Sequence, residues 1–233
     1  MTEADEHKRA VGFAAVDRYV RSGTCVGLGT GSTARWAVER VGERVARGEN
    51  IVVVATSAAT ERQCRELGIP LAALGEREID VAIDGADEVA ADWSLTKGGG
   101  GAHFREKAVA LAARAFVVIV TAEKLVEKLG AFPTPVEVVP FTLAVVTRAI
   151  EIAYPGARVQ QRLSRDGTPF VTDNGNALVD CAFGAIDDPA ALDAALREIH
   201  GVVATGLFPG PLTAAVLVAG GGEVRELLRI ASR

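Results

Sequence analysis

Four loops carry side chains whose types and spacing could bind an anion, hold hydroxyls and move a proton. In GLGTGST (Gly27 to Thr33) the glycines allow close backbone approach, and Ser32 and Thr33 place hydroxyls at the start of a helical pattern. A helix start offers free N–H groups and the positive end of a dipole, both suited to phosphate. The string is no P-loop, since no Gly-Lys-Ser/Thr follows, and it departs from the dinucleotide fingerprint at Ser32, where a third Gly belongs. The competing reading is a tight turn capped by Ser32. In DGADE (Asp84 to Glu88) two carboxylates, Asp84 and Asp87, stand three apart around a glycine. One turn can aim both into a crevice to hold sugar hydroxyls; a solvated Asx turn is the alternative. KGGGGAHFREK (Lys97 to Lys107) is the most specific of the four, because consecutive glycines can expose several N–H groups as an anion nest with Lys97 at its edge. Four glycines in a row cost too much chain entropy to be only a connector. Glu106, in the first turn of the next helix, can point back over that loop as a general base or simply complement the helix dipole, whereas Lys107 reads as a solvated charge. Lys124, after an apolar strand, either adds a cation to the same crevice or is ordinary surface charge. Phosphate donors, hydroxyl-binding carboxylates, a cation and a base are what is needed to move a proton beside a sugar-phosphate carbonyl.

The elements around these loops follow from hydrophobic periodicity. Thr2 with Glu3, Asp5 and Glu6 reads as a helix start, and Ala10, Phe13, Val16 and Val20 continue it to about Ser22-Gly23. TCVGLG, IVVVA (Ile51 to Ala55), DVAID (Asp80 to Asp84) and FVVIV (Phe116 to Val120) are apolar throughout, and helices are expected after Thr33, over Ala58 to Leu67 and over Phe104 to Ala115. Strands without alternation are buried on both faces, which predicts a parallel sheet with each chemical loop beyond a strand's carboxyl end. From Phe132 the prolines of FPTPVEVVP mark a change, because proline is confined to sheet edges and boundaries. A helix over Thr142 to Ala153, strands at Arg158 to Arg162 and Pro169 to Asp173, and a partner strand at Asn176 to Phe183 across an Asn174-Gly175 turn are expected next. Asp188-Pro189 starts a helix to about His200, and GVVATG is one more strand. Ala214 to Ala219 should rejoin the first sheet, followed by a glycine turn and a closing helix. The fold class is therefore α/β, a Rossmann-like, mostly parallel sheet flanked by helices, with a smaller α+β domain of ferredoxin-like type inserted before the C-terminal strand and helix. Residues 1–129 with 206–233 form the first domain and 130–205 the second.

Composition excludes several classes. The 233 residues are 49% hydrophobic and 24% charged, a globular balance, and the net charge of −5 provides no cationic excess for a nucleic-acid backbone. The charged start MTEADEHKRA has no apolar signal core, and no window reaches the ~18 apolar residues of a membrane span, so neither nucleic acid nor membrane is an expected partner. Cys25, Cys64 and Cys181 and His7, His103 and His200 are scattered, the cysteines suiting reduced packing roles and no zinc spacing being legible.

In order along the chain, GLGTGSTA, DVAIDGADEV, KGGGG with FREKAVA, EKLVEKLG with FPTPVEVVPF, VTDNGNALVD and GVVATGLF resemble the strings of type A ribose-5-phosphate isomerases, over nearly the whole length. The resemblance implies phosphate or substrate contacts at Thr30, Gly31, Ser32 and Thr33, at Asp84, Gly85, Ala86 and Asp87, at Lys97, Gly98, Gly99 and Gly100, and at Lys124, with Glu106 as proton acceptor. It implies interconversion of D-ribose 5-phosphate and D-ribulose 5-phosphate through a cis-enediolate, without cofactor or metal, in the non-oxidative pentose phosphate branch. Lys97 and the glycine-loop amides would face the enediolate oxygen, with Asp84 and Asp87 as further catalytic groups on the hydroxyls. A cytoplasmic homodimer or homotetramer is implied as well. The sequence departs from the family pattern at His103 and Phe104, at Thr121, and at Pro209-Gly210-Pro211. Two rivals differ in class. A non-catalytic sugar-phosphate sensor has no use for both Lys97 and Glu106. A nicotinamide dehydrogenase lacks its third Gly and an acid after IVVVA, where Thr56-Ser57 stand.

Overall fold

The computed structural model describes residues 2–227. The chain runs α1 (Glu3–Tyr19), β1 (Cys25–Leu28), α2 (Ala34–Ala46), β2 (Val52–Ala55), α3 (Ala58–Glu66) and β3 (Val81–Asp84), then a hairpin of β4 (Glu88–Val89) and β5 (Leu95–Thr96). It continues through α4 (His103–Ala112), β6 (Phe116–Thr121), β7 (Thr134–Val138), α5 (Leu143–Ala153), β8 (Arg158–Gln161), β9 (Ala177–Ala182) and α6 (Pro189–Arg197). β10 (Val202–Thr205), β11 (Leu207–Phe208), β12 (Ala215–Gly220) and β13 (Glu223–Leu227) complete it. Two compact units result: Met1–Ala86, Arg105–Lys124 and Pro211–Arg233 form one, and Asp87–Phe104 with Leu125–Gly210 form the other. The expected boundary at Gly130 differs from this division. Residues 87–104 go with the second unit because β5 pairs antiparallel with β11 and β4 with β5, a small sheet of order β11-β5-β4.

In the first unit a six-stranded sheet has the order β13-β12-β6-β3-β1-β2, parallel except for β13. Val26, Leu28, Val53, Ile83, Val117, Ile119 and Leu217 are buried in one cluster with Val11, Ala15 and Val16 of α1 and Val38 and Val41 of α2. Each of these valine, leucine and isoleucine side chains contributes about 1.5–3 kcal/mol on burial. At the amino end of α1, Thr2 and Asp5 form a reciprocal capping box. The chain leaves β1 for β2 on one side and then for β3 on the other, so the order reverses between β1 and β3. Ligands of open α/β sheets bind beyond the carboxyl ends at such a reversal. The expected closing helix does not begin after the glycine turn: residues 223–227 return as β13, antiparallel to β12, and anything later lies outside the described residues.

The second unit contains a four-stranded antiparallel sheet of order β10-β7-β9-β8 with α5 and α6, the βαββαβ succession expected of a ferredoxin-like unit. Its core is Val136, Val138, Val146, Ile150, Val179, Cys181 and Leu196. Two details correct the sequence reading. Pro135 lies in β7, a central strand, and is tolerated because β10 pairs only from Val136 onward. Pro169 to Asp173 is not a regular strand, since β9 pairs with β7 and β8 instead and this segment makes only isolated bridges, Leu163 to Pro169 and Val171 to Ala177. The Asn174-Gly175 turn does form, with Gly175 at φ +80°. It is pinned from β7 by the buried Glu137, whose Oε1 accepts from Thr172 Oγ1 and from the side-chain amides of Asn174 and Asn176 at 2.9–3.0 Å.

Candidate active site

The first unit assembles one group of the expected residues at the carboxyl edge of its parallel sheet. β1 ends in Gly29, and the backbone there passes against Asp84 at the end of β3: a Cβ on residue 29 would lie 1.8 Å from Asp84 Oδ1. That oxygen accepts from the N–H of Gly85 at 2.7 Å and of Thr30 at 3.2 Å, which fixes the buried carboxylate by two backbone donors. Thr30 is anchored from the neighbouring strand. Its hydroxyl lies 2.8 Å from those of Thr56 and Ser57 and 3.2 Å from that of Thr60, and Thr60 Oγ1 donates to the Gly29 carbonyl at 2.8 Å. Thr56, Ser57 and Thr60 are the functional support that sequence reasoning missed; the legible signal was a Thr-Ser pair at the carboxyl end of a strand next to β1.

The loop then turns at Gly31, with φ +116°, and leaves Ser32 exposed. The N-cap of α2 is Thr33, not Ser32, and its side chain makes no capping hydrogen bond. Its first turn also lacks an acidic residue, so no carboxylate of that turn offsets the positive end of the helix dipole. Thr33 Cβ lies 3.8 Å from where a side chain on Gly85 would begin, which places the first and second loops side by side. β6 ends at the same edge, and the single helical turn Ala122–Lys124 brings the half-buried Lys124 there.

Glu106 reaches this edge through α4. Val109 packs into the space where Gly27 of β1 lacks a side chain, 2.4 Å from the missing Cβ position. Residues three apart share a helix face, and α4 runs opposite to the strands. Glu106 therefore sits one turn nearer the carboxyl ends of β1 and β3 than Val109, and it is buried to 5% exposure.

The second unit holds the remaining group, Asp87 and Lys97 to Gly100. The expectation that every chemical loop follows a strand of the parallel sheet fails for Lys97, which follows β5 of the small antiparallel sheet. Glu88, buried beside Asp87, accepts from Thr96 Oγ1 at 2.8 Å and from the N–H groups of Gly130 and Phe132 at 3.0 and 2.9 Å, so it ties β4 to β5 and to the following connection. Lys97 is buried, its N–H bonded to the Gly206 carbonyl at 2.8 Å and its ammonium 5.6 Å from the Phe208 ring centroid. Beyond it the glycine loop folds as a turn closed by Gly101 N–H to Gly98 O at 2.9 Å, with φ +101° at Gly98 and +77° at Gly101. Asp87 Oδ2 accepts from the Gly99 N–H at 2.8 Å. His103, one departure from the family pattern, packs beneath Gly98 and occupies the room a side chain there would need. Another, Pro209-Gly210-Pro211, is held by Gly210 N–H to Ser94 Oγ at 3.1 Å, local packing of the second unit. Burial pushes the thiols of Cys64 and Cys181 up to about 12, keeping them protonated.

Each unit by itself carries part of this inventory, and the fold that holds it is that of a sugar-phosphate isomerase. The description "Ribose 5-phosphate isomerase A (phosphoriboisomerase A)" matches residues 52–223. A ribose-5-phosphate isomerase A of Methanothermobacter thermautotrophicus is 44% identical over 95% of this chain and 97% of its own, and that of Methylorubrum populi 48% identical over 94% and 95%. The solved isomerase A of Methanocaldococcus jannaschii superposes with a TM-score of 0.91 at 38% identity, covering 97% of this chain and all of its own. Another D-ribose-5-phosphate isomerase, solved in complex with phospho-erythronic acid, does so with a TM-score of 0.93 at 34% identity, covering 98% and 100%. The chain belongs to the ribose 5-phosphate isomerase A family.

Proposed function

We propose that Glu106 is the base of an aldose–ketose isomerisation in which the residues above divide the labour. The enzyme interconverts D-ribose 5-phosphate and D-ribulose 5-phosphate. Glu106 takes the C2 proton of the open-chain aldose and returns it to C1, a transfer for which a carboxylate withdrawn from bulk water is suited. Negative charge then collects on the C1 oxygen. Lys97 and the amides of Gly98 and Gly100 meet it, the largest electrostatic contribution in such reactions, while the Gly99 N–H holds Asp87. Asp84 and Asp87 hold hydroxyls and carry O–H protons during ring opening. Gly31, Ser32, Thr33 and Lys124 hold the phosphate, with Thr30, Gly85 and Ala86 shaping the wall beside it. The observation that carries this reading is the burial of Glu106 one turn from the Val109–Gly27 contact, at the edge where Asp84 is fixed by two backbone donors.

The reaction needs no metal in this scheme, because a lysine ammonium and backbone N–H groups supply the stabilising charge. A coupled assay with ribose 5-phosphate tests it: ketose should form at an unchanged rate in EDTA. Activity lost in EDTA and restored by one divalent ion would overturn the scheme. We also take the working form to be a cytoplasmic homodimer or homotetramer. Val145 and Ile152, exposed on α5, and Phe141, exposed in the turn Pro140–Thr142 before it, support self-association, and light scattering would reveal it. No helix among the described residues is long and apolar enough to cross a membrane.

A further inference from the structure

Arg162, just beyond β8, makes four hydrogen bonds, two to the glycine loop and two to Asp180. Its Nη1 donates to the Gly98 carbonyl at 2.7 Å and to the Gly99 carbonyl at 3.2 Å, while Nε and Nη2 grip Asp180 of β9 at 2.9 and 2.5 Å. The Arg162 side chain is only 13% exposed. Its guanidinium carbon also stands 5.9 Å from the ring centroid of Phe170. That ring fills the space over Gly101, 2.5 Å from where a Cβ would be, so guanidinium and ring bracket the loop from one side.

The consequence follows from peptide geometry. A trans peptide unit is planar, with its C=O and N–H pointing in opposite directions. Drawing the Gly98 carbonyl toward Arg162 turns the Gly99 N–H away from it, and that N–H does meet Asp87 Oδ2 at 2.8 Å. Drawing the Gly99 carbonyl the same way turns the Gly100 N–H away from Arg162 as well. One guanidinium thus sets two consecutive peptide planes, and its charge polarises both units so that their N–H groups become stronger donors. Glycines this free of steric restraint need such an external clamp to present a fixed set of donors.

We propose that Arg162, aimed by Asp180, is a positioning residue for the reaction: it orients and polarises the glycine-loop amides. This rests on the reading that the Gly100 amide faces the enediolate oxygen and that Asp87, held by the Gly99 amide, acts on the substrate hydroxyls. Interactions realised in the transition state change kcat rather than KM, and loss of one oxyanion donor costs roughly 10²–10³-fold. Arg162→Ala should therefore lower kcat about 10²-fold with KM within about threefold, and millimolar guanidinium should restore at least about tenfold of the loss without raising the folded fraction. Wild-type kcat in the folded variant, no recovery with guanidinium, or recovery that only follows refolding would each overturn the proposal. If Arg162→Ala does not fold, Arg162→Lys decides. It keeps the charge but cannot hold both carbonyls and Asp180, so kcat should fall about tenfold, and an unchanged kcat overturns the clamp. Lys97→Met, measured in parallel, separates the two levels. Activity lost there but kept in Arg162→Ala removes the clamp alone, whereas activity kept in both removes the loop from the reaction.

Discussion

Asp84 and Gly29 act as one unit, because the carboxylate occupies the volume that any side chain on residue 29 would claim. Asp84 cannot swing aside cheaply: its Oδ1 is held by the Thr30 and Gly85 N–H groups. Gly29→Ala should therefore displace a carboxylate by about an ångström and lower kcat/KM roughly 10²-fold, the usual cost of that misplacement, while the far-UV dichroism is retained. Wild-type kcat/KM would show that Asp84 is not held where the reaction needs it. The nearby hydroxyl cluster works at the same scale. With Thr30 engaged by Thr56, Ser57 and Thr60, the loop's position is determined by β2 as much as by its own glycines.

Among the elements, α6 illustrates a start signal that was fully legible. Asp188 caps it by accepting from the Ala191 N–H at 2.9 Å, and Pro189 occupies the first turn where its missing N–H is harmless. Asp188→Ala should cost about 1 kcal/mol, read as a lower denaturant midpoint at constant m, with kcat unchanged. An unaltered midpoint would mean that packing alone holds α6. The parallel sheet was equally legible, because β1, β3 and β6 are apolar up to their carboxyl ends and each leads into a chemical loop. Other features were not. β4 and β5 are two residues each, too short to carry a period, and what fixes them is a side-chain bond, Thr96 to Glu88, between residues eight apart. The segment 169–173 alternates like a strand yet loses its partner to β8, a competition settled by tertiary pairing rather than local pattern. At the candidate site, residue types and loop positions singled out Asp84, Lys97 and Glu106, all three of which are buried. Arg162 stayed hidden because its role depends on a contact with carbonyls 63 and 64 residues away.

The molecule as a whole should be alkali-sensitive for a reason that burial supplies. Cys64 and Cys181 are pushed from 9.0 up to about 12, so between those values the unfolded chain releases thiol protons that the folded chain keeps. The unfolded state then binds fewer protons, and stability falls as pH rises, by about 1.4 kcal/mol per pH unit for each thiol once the unfolded one is ionised. Below pH 9 both states are protonated and this contribution is flat. Denaturant midpoints measured from pH 8.5 to 10 should fall more steeply for the native protein than for a Cys64→Ala/Cys181→Ala variant; parallel slopes would contradict the assignment. In the proposed mechanism function rests on the Glu106 carboxylate. The most direct measurement is solvent-deuterium exchange at C2 of ribose 5-phosphate with Glu106→Gln, since Gln keeps the shape and polarity of Glu but cannot accept a carbon-bound proton. Exchange and turnover should fall together by at least roughly 10²–10⁴-fold with substrate binding nearly intact, and Lys107→Met, on the same helix turn, should cost far less. A folded Glu106→Gln protein that still exchanges this proton at close to the native rate would contradict the account and transfer the role of base to Asp84 or Asp87.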